Sequence, residues 1–507
     1  MAAFKKNLLY FTKSHTYILL GLLIILSYLI VNALSLENNI IFIEGVMLSL
    51  IIVVTILFKI FYHKKPFNGN EILIYIILLG LIMRIGYMLY TPCTVRSHDF
   101  GNFNMNLSGH DAYLLTIIKE NHLPLSNENQ YYHQPFYYIV SSIFSIIINK
   151  ILGRTADFYL VDAAKVVSCF ASCAVIIIAS KICDAVEMKK KYKIVTMCIV
   201  SFLPNFYLLA GRVNNDSLVI FFMTCAILYT IYWLKNQSWK NTILLALIYG
   251  FGMMTKVSIG VYALFTGVVM INVLTMKFQE KSFKDLLLKF GVFGLISFPL
   301  GLWYAIRNHI MFNQSISYVP KLSETSDIYC GNYSFFQRFV FPSISNLLSS
   351  PYAHPFEDYN YPAYLIKTSV FGEFTFNQQG FIPTLLLFTN LMLVILSVIA
   401  FIYIIFFSNR NDEIRYILTG LWILVYISSI KFNLSYPFGC TMDFRYIVPT
   451  AILGAIFIGA VYEELMEKSF ESQSLLSTFK EFYINTTKAS VILFSIFSIL
   501  MYCTITI

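Results

Sequence analysis

Charge is what this sequence has least of. Only 12% of its 507 residues are Asp, Glu, Lys or Arg, against about a quarter in a soluble domain, while 58% are hydrophobic. That balance excludes a water-soluble globule and implies an integral membrane protein. The short alternating segments of a membrane β-barrel are also missing. In their place stand unbroken runs such as YILLGLLIILSYLIV and LLLFTNLMLVILSVIAFIYIIFF, and about 20 such residues cross roughly 30 Å of hydrocarbon as a helix. There is no Cys-x-x-Cys pair and no disulfide framework. Most of the nine cysteines lie inside apolar runs (Cys169, Cys173, Cys183, Cys198, Cys225) as small hydrophobes. No phosphate-binding glycine loop or Walker motif occurs, which argues against an ATP-driven pump, and no internal repeat of the transporter kind is visible. The basic excess, 36 Lys and Arg against 27 Asp and Glu, sits in short runs between apolar segments. There it controls topology, and nucleic acid is not expected as a partner. The first apolar run, behind Lys5, Lys6 and Lys13, has no small-residue cleavage site and is too long for a signal peptide, so it is expected to remain as an anchor.

Thirteen segments have the composition of spans: 14–35, 40–61, 72–91, 158–184, 193–210, 216–234, 241–254, 257–275, 287–305, 381–407, 415–432, 444–463 and 486–506. A further run, 135–152, would put the basic loop 187–193 opposite the lysine-bearing N-terminus if it crossed. Laid along the interface, it lets the basic loops 187–193, 235–240, 277–284, 408–415 and 463–485 share one side. The expected fold is therefore an all-α polytopic membrane protein of about 13 transmembrane helices. Its N-terminus is cytoplasmic and its C-terminus external, with interfacial helices in the first long external loop. Two long segments, about 92–157 and 306–380, fall on the external side. Loops of that length are usually functional when they are ordered, so the chemistry is expected there.

The densest polar constellation follows the third span. Asp99, in RSHDF, stands beside Arg96 and His98 just above the headgroup level, where a carboxylate can serve as general base for a hydroxyl. The plainer role is a loop cap. Asp111, in GHDAY, opens a helical pattern and suits a helix N-terminus, so it is the second choice. His98, His110 and His133 share no tight ligand spacing, and no metal or other cofactor is expected. In QYYHQPFYYI, Pro135 suits a first helical turn and the tyrosines suit a membrane boundary, which leaves His133 and Gln134 unexplained. GRVNNDS supplies Arg212, Asn214, Asn215 and Asp216. MTKVS supplies Lys256, WYAIRNH supplies Arg307, and TMDFRY supplies Asp443 and Arg445. One such cation can simply snorkel to the interface; four on one face suit an anionic lipid headgroup. Within the spans, Asp162 and Lys165 are expected to pair, and Arg84 can snorkel outward.

The order of these motifs resembles the polyprenyl-phosphate-sugar-dependent glycosyltransferases of the GT-C fold, family 39, which includes protein O-mannosyltransferases and aminoarabinose transferases. The span, the loop Asp, the helix opened by YYHQPFYY, the basic loop and GRVNNDSLVIFF carry the likeness, mainly over residues 72–310. The resemblance implies a hexosyl- or pentosyltransferase, mannosyltransferase-like. It would move sugar from a polyprenyl-phosphate donor to a hydroxyl of a lipid, glycan or protein acceptor, with inversion, in a plasma membrane and for cell-envelope glycosylation. It makes Asp99 the base and Arg307, Lys256 and Arg212 the donor-phosphate ligands. His98, Tyr132, His133, Gln134, Asn215, Asp216, Glu373 (in TSVFGEF) and Arg445 are left to bind donor or acceptor. It divides the chain into two additional N-terminal helices (1–64), a catalytic core (65–305), an external loop region (306–380) and C-terminal helices (381–507). The chain departs from relatives in having Gln134 before Pro135 where a second proline is usual, and in having His133 and Gln134 where aminoarabinose enzymes carry Glu-Lys.

Two other classes were weighed. A flippase or transporter of lipid-linked sugars would also want cations near the headgroups, but with comparable polar groups on both sides. A non-catalytic scaffold would need neither the acid nor the cations.

Overall fold

The computed structural model describes residues 15–37, 39–62, 69–97, 99–280, 282–316, 318–320, 322–352, 357–374, 380–408, 413–469 and 475–504. Among them there is no strand, only an isolated antiparallel bridge between Tyr329 and Phe438. The helices are α1 (Thr16–Ala33), α2 (Ile40–Tyr62), α3 (Gly69–Tyr90), α4 (His110–Leu115), α5 (Phe136–Leu152), α6 (Asp157–Asp162), α7 (Lys165–Ala185), α8 (Lys190–Phe202), α9 (Pro204–Ala210) and α10 (Asp216–Lys235). They continue with α11 (Trp239–Thr255), α12 (Gly260–Met276), α13 (Phe283–Phe312), α14 (Ile344–Leu348), α15 (Tyr361–Phe371), α16 (Phe381–Phe406), α17 (Glu413–Ser435), α18 (Pro449–Glu467) and α19 (Leu475–Cys503).

Eleven of these segments are long and apolar enough to cross a membrane, with α6 and α7 running together as one, and twelve if the bent pair α8–α9 is a single span. The chain is a multi-pass membrane protein. The remaining expected span, 241–254, is α11, whose 17 residues lie at the short end of what crosses a bilayer and lead from the basic loop 235–240 to Lys256. Leu264, Leu295 and Phe298 are each more than 60% exposed, which gives the bundle the apolar outer surface a bilayer requires. Inside, Gly250 and Gly301 let α11 and α13 approach closely: a Cβ at Gly250 would stand 2.7 Å from Leu300, and one at Gly301 2.8 Å from Met253.

The run 135–152 is α5, a helix of 17 residues. Ile143, Ile146, Ile147 and Ile151 face outward while Ser141, Ser142, Ser145 and Asn149 are buried. The long segments after α3 and α13 meet the short connections 211–215 and 256–259 and the segment 436–448 at one end of the bundle, the loop end.

The break between α8 and α9 shapes that end. Pro204 has no N–H and crowds the carbonyl four residues back, so the two helices meet at 47°. Arg84 does not snorkel. It is fully buried, and its guanidinium donates to the carbonyls freed at the break, Val200 at 3.0 Å and Ser201 at 2.8 Å, as well as to Gly80 O and Ser172 Oγ. Burying an arginine costs less when carbonyls that have lost their helical donors take up its N–H groups. The bend carries α9 into the segment Gly211–Asn215, which supplies the site. Asp162 and Lys165 pair as expected, at 2.7 Å.

Candidate active site

The first long loop is built around Asp111. Its buried carboxylate accepts from Gly101 N and Phe103 N, both at 2.6 Å, and draws the chain into a tight reversal. Asp99 closes that reversal, its carbonyl accepting from His110 N at 2.9 Å. The side chains of the two acids meet different fates. Asp111 is consumed in folding the loop, whereas Asp99 is exposed on the wall of a cavity of about 570 Å³. No hydrogen bond or ion pair engages the Asp99 carboxylate among the described residues. The cavity is also lined by Gln130, Tyr132, His133, Gln134, Tyr318 and Tyr436 at the loop end, and by Met223, Val261, Tyr262, Val425 and Phe432 of α10, α12 and α17. It is polar at its head and apolar where it runs down between the spans.

Cations stand at that head. Lys256, on an extended residue between α11 and α12, pairs with Asp216 at the start of α10 and lies 5.1 Å from the ring of Tyr446. Arg445 reaches the other oxygen of Asp216 at 3.9 Å and Glu373 at 3.3 Å. Asp216 thus joins a lysine 40 residues away to an arginine much farther along the chain. Asn215 lines the same wall, its amide donating to Thr255 O at 3.1 Å and its buried Oδ1 unpartnered among the described residues.

Arg212 lies behind this layer, outside the cavity lining. It is 4% exposed, and its three guanidinium nitrogens have no hydrogen-bond partner among the described residues. Its flat face rests on Phe374 at 4.5 Å, and its charge is felt by Asp443, Arg445 and Glu373. Gly372, at φ +63, allows this approach, because a Cβ there would stand 2.6 Å from Arg212 Nη2. Asp443 spends one oxygen on Arg445 N at 2.6 Å. Burial, with the Glu373 carboxylate beside it, pushes Asp443 up to about 7. Burial also raises Glu373, against the pull of Arg445.

The two buried histidines of the loop, His110 and His133, are held neutral. Burial holds His110 down at about 4 and His133 well below its usual range. Their rings stack 5.6 Å apart, and His110 Nδ1 meets Tyr138 OH at 2.6 Å. Among the described residues no three His, Cys, Asp or Glu side chains gather as a metal-binding group.

The structure therefore brings together Asp99, Tyr132, His133, Gln134, Asn215, Asp216, Lys256 and Arg445 around one cavity, with Glu373 and Arg212 packed behind Arg445. It does not bring Arg307 there. That guanidinium donates to Pro124 O and Asn308 Oδ1, both at 2.8 Å, and lies over Tyr304. Asp111 is likewise away from the lining, and His98 lies outside the described residues. Sequence reasoning missed Tyr318, Tyr436, Lys431 and Gln130. Tyr446 was within reach, since it follows Arg445 in TMDFRY and its ring is where two cations converge.

Residues 139–303 match the family of dolichyl-phosphate-mannose-protein mannosyltransferases. The match supports a glycosyltransferase of the mannosyltransferase kind. It agrees with the likeness to the GT-C glycosyltransferases carried by the sequence motifs. The all-helical bundle suits that fold. The matched segment runs from α5 into α13 and includes Arg212, Asn215, Asp216 and Lys256, while Asp99, Glu373 and Arg445 fall outside it. No curated protein matches the chain.

Proposed function

We propose that the protein transfers a sugar from a polyprenyl-phosphate donor to an acceptor hydroxyl. The single observation that carries this reading is the cavity itself: a carboxylate, Asp99, unpaired among the described residues, on the same lining as Lys256 and Arg445, at the head of a passage between α10, α12 and α17. A polyprenyl chain suits the passage and its phosphate suits the cations. Asp99 takes the proton of the acceptor hydroxyl as the oxygen attacks the anomeric carbon. The carbon–oxygen bond to phosphate breaks, and the electron pair leaves with the lipid phosphate beside Lys256 and Arg445. Fixed cations facing such developing charge typically contribute several kcal/mol.

The other carboxylates argue for inversion. Asp216 is held by Lys256 and Arg445, and Glu373 by Arg445. Neither is free to attack the sugar, so a single displacement with one base fits best. Tyr132 and His133, their rings 4.1 Å apart, offer a flat wall for the sugar. With every basic loop on the cytoplasmic side, the N-terminus is cytoplasmic and the cavity faces outward, in a plasma membrane.

The test is transfer or hydrolysis of labelled sugar from a panel of polyprenyl-phosphate sugars by purified protein in lipid. Wild type should consume a donor, and Asp99→Asn should lose at least a hundredfold of the rate. Labelled lipid-linked sugar crossing the bilayer with no donor consumed would replace this reading with a flippase.

A further inference from the structure

The two leading helices have no part in the cavity, yet α1 is tied to the chain segment that carries Asp99. From α1, the buried Tyr28 donates to Asp162 Oδ2 at 2.8 Å. The other oxygen of Asp162 accepts from Cys93 N at 2.8 Å and pairs with Lys165, which in turn donates to Met88 O and Thr91 O. Asp162 is thus a hub between α1 and the root of the loop, six residues before Asp99. A second fastener lies at the turn between α1 and α2. Glu37 pairs with Arg154 at 2.9 Å, and Asn32 accepts two further bonds from that guanidinium. Arg154 follows α5, the helix that His133 and Gln134 precede.

The loop needs holding. Arg96, Asp99, Asn102, Phe103 and Ser108 all adopt φ between +50 and +63, a region that non-glycine residues occupy at a cost and keep only where the surroundings impose it. We propose that α1, with the turn that follows it, is a positioning brace for the Asp99 segment, Tyr28 acting through Asp162. The inference rests on the reading of Asp99 as base and gives a role to a helix that lies outside the catalytic core.

The experiment uses the full chain in lipid nanodiscs with a polyprenyl-phosphate mannose donor, comparing wild type, Tyr28→Phe and the lipid-facing control Leu26→Ala. Tyr28→Phe should lower kcat about tenfold with donor KM within about twofold, the mark of a displaced reacting group. Deuterium exchange at Cys93 N should quicken in Tyr28→Phe, and Leu26→Ala should change neither reading. Because the brace works through Asp99, Tyr28→Phe added to Asp99→Asn should cost nothing further. A Tyr28→Phe variant with wild-type kcat in an active protein overturns the brace alone, as does a Tyr28→Phe loss that adds in full to that of Asp99→Asn. A wild type that consumes no lipid-linked sugar overturns the reading of the site, and the brace with it.

Discussion

Two aspartates in one loop should fail in opposite ways when amidated. Asp99 is exposed and unpaired among the described residues, so Asp99→Asn removes a proton acceptor and little else; stability should stay within about 0.5 kcal/mol of wild type. The rate should not, because a general base contributes about 10²–10⁴-fold, or ~3–5 kcal/mol of barrier. Asp111 reverses the pattern. Both its oxygens are buried and each takes an N–H at 2.6 Å. Asparagine keeps one acceptor, in a weaker neutral bond that costs about 1 kcal/mol, and turns an N–H against the other amide, which costs about 2–3 kcal/mol more. A loss of about 3–4 kcal/mol falls on a loop already carrying five strained residues, and that loop should open. Exchange protection of residues 99–111, read beside kcat and thermal unfolding, separates the two cases. Asp99→Asn should be protected and inactive. Asp111→Asn should be unprotected, with activity that partly returns on cooling. An Asp99→Asn protein that keeps more than a tenth of the rate refutes the base assignment, and wild-type protection in Asp111→Asn refutes its structural role.

Lys256→Gln should raise the donor KM at least tenfold and lower stability, because breaking a buried ion pair from one side costs about 3–5 kcal/mol. Adding Asp216→Asn should restore part of the stability in a thermal-unfolding cycle. Asp443, at about 7 when folded and near 4 when unfolded, binds more protons in the folded state across that window. Stability should therefore fall as pH rises from about 4 to 7 and level off above, and Asp443→Asn should flatten the slope. Donor affinity should weaken as pH rises through about 7, where a negative charge appears beside Arg212 and Arg445. Arg307→Ala should leave donor KM within about threefold and destabilise modestly, by about 1–2 kcal/mol, through the Pro124 carbonyl it abandons. Gly372→Ala should cost about 1–2 kcal/mol in backbone strain and lower kcat by displacing Arg212, measured by unfolding and turnover together.

Much of the bundle is legible in the sequence because an apolar run of about 20 residues announces itself without tertiary knowledge. The Asp162–Lys165 pair is legible for the same reason, since a spacing of three is local. The site is harder because span ends say where a cation is and not where it points. Arg307 and Lys256 look equivalent in the sequence. Arg307 continues α13, and the helical turn aims it at Pro124, whereas Lys256 sits on an extended residue between two helices and swings to Asp216. Nothing local distinguishes them. The burial of Arg84 is similar: Pro204 signals a break, but only packing shows which donor fills it.

The arrangement of charges bears on the chemistry as well as on binding. Lys256, Arg445 and Lys431 line the cavity and Arg212 stands behind them, against Asp99, Asp216, Glu373 and an Asp443 whose proton is held more tightly by burial. On the proposed reading, a phosphodiester donor brings its single negative charge to the cations of that lining. When the sugar leaves, the phosphate gains a charge, and Asp99, by taking the acceptor's proton, loses one. The site becomes more positive by one unit as its product becomes more negative by one unit. A base placed on the same cavity as the phosphate cations thus does more than accept a proton: its neutralisation releases those cations to stabilise the leaving group at the moment the bond breaks.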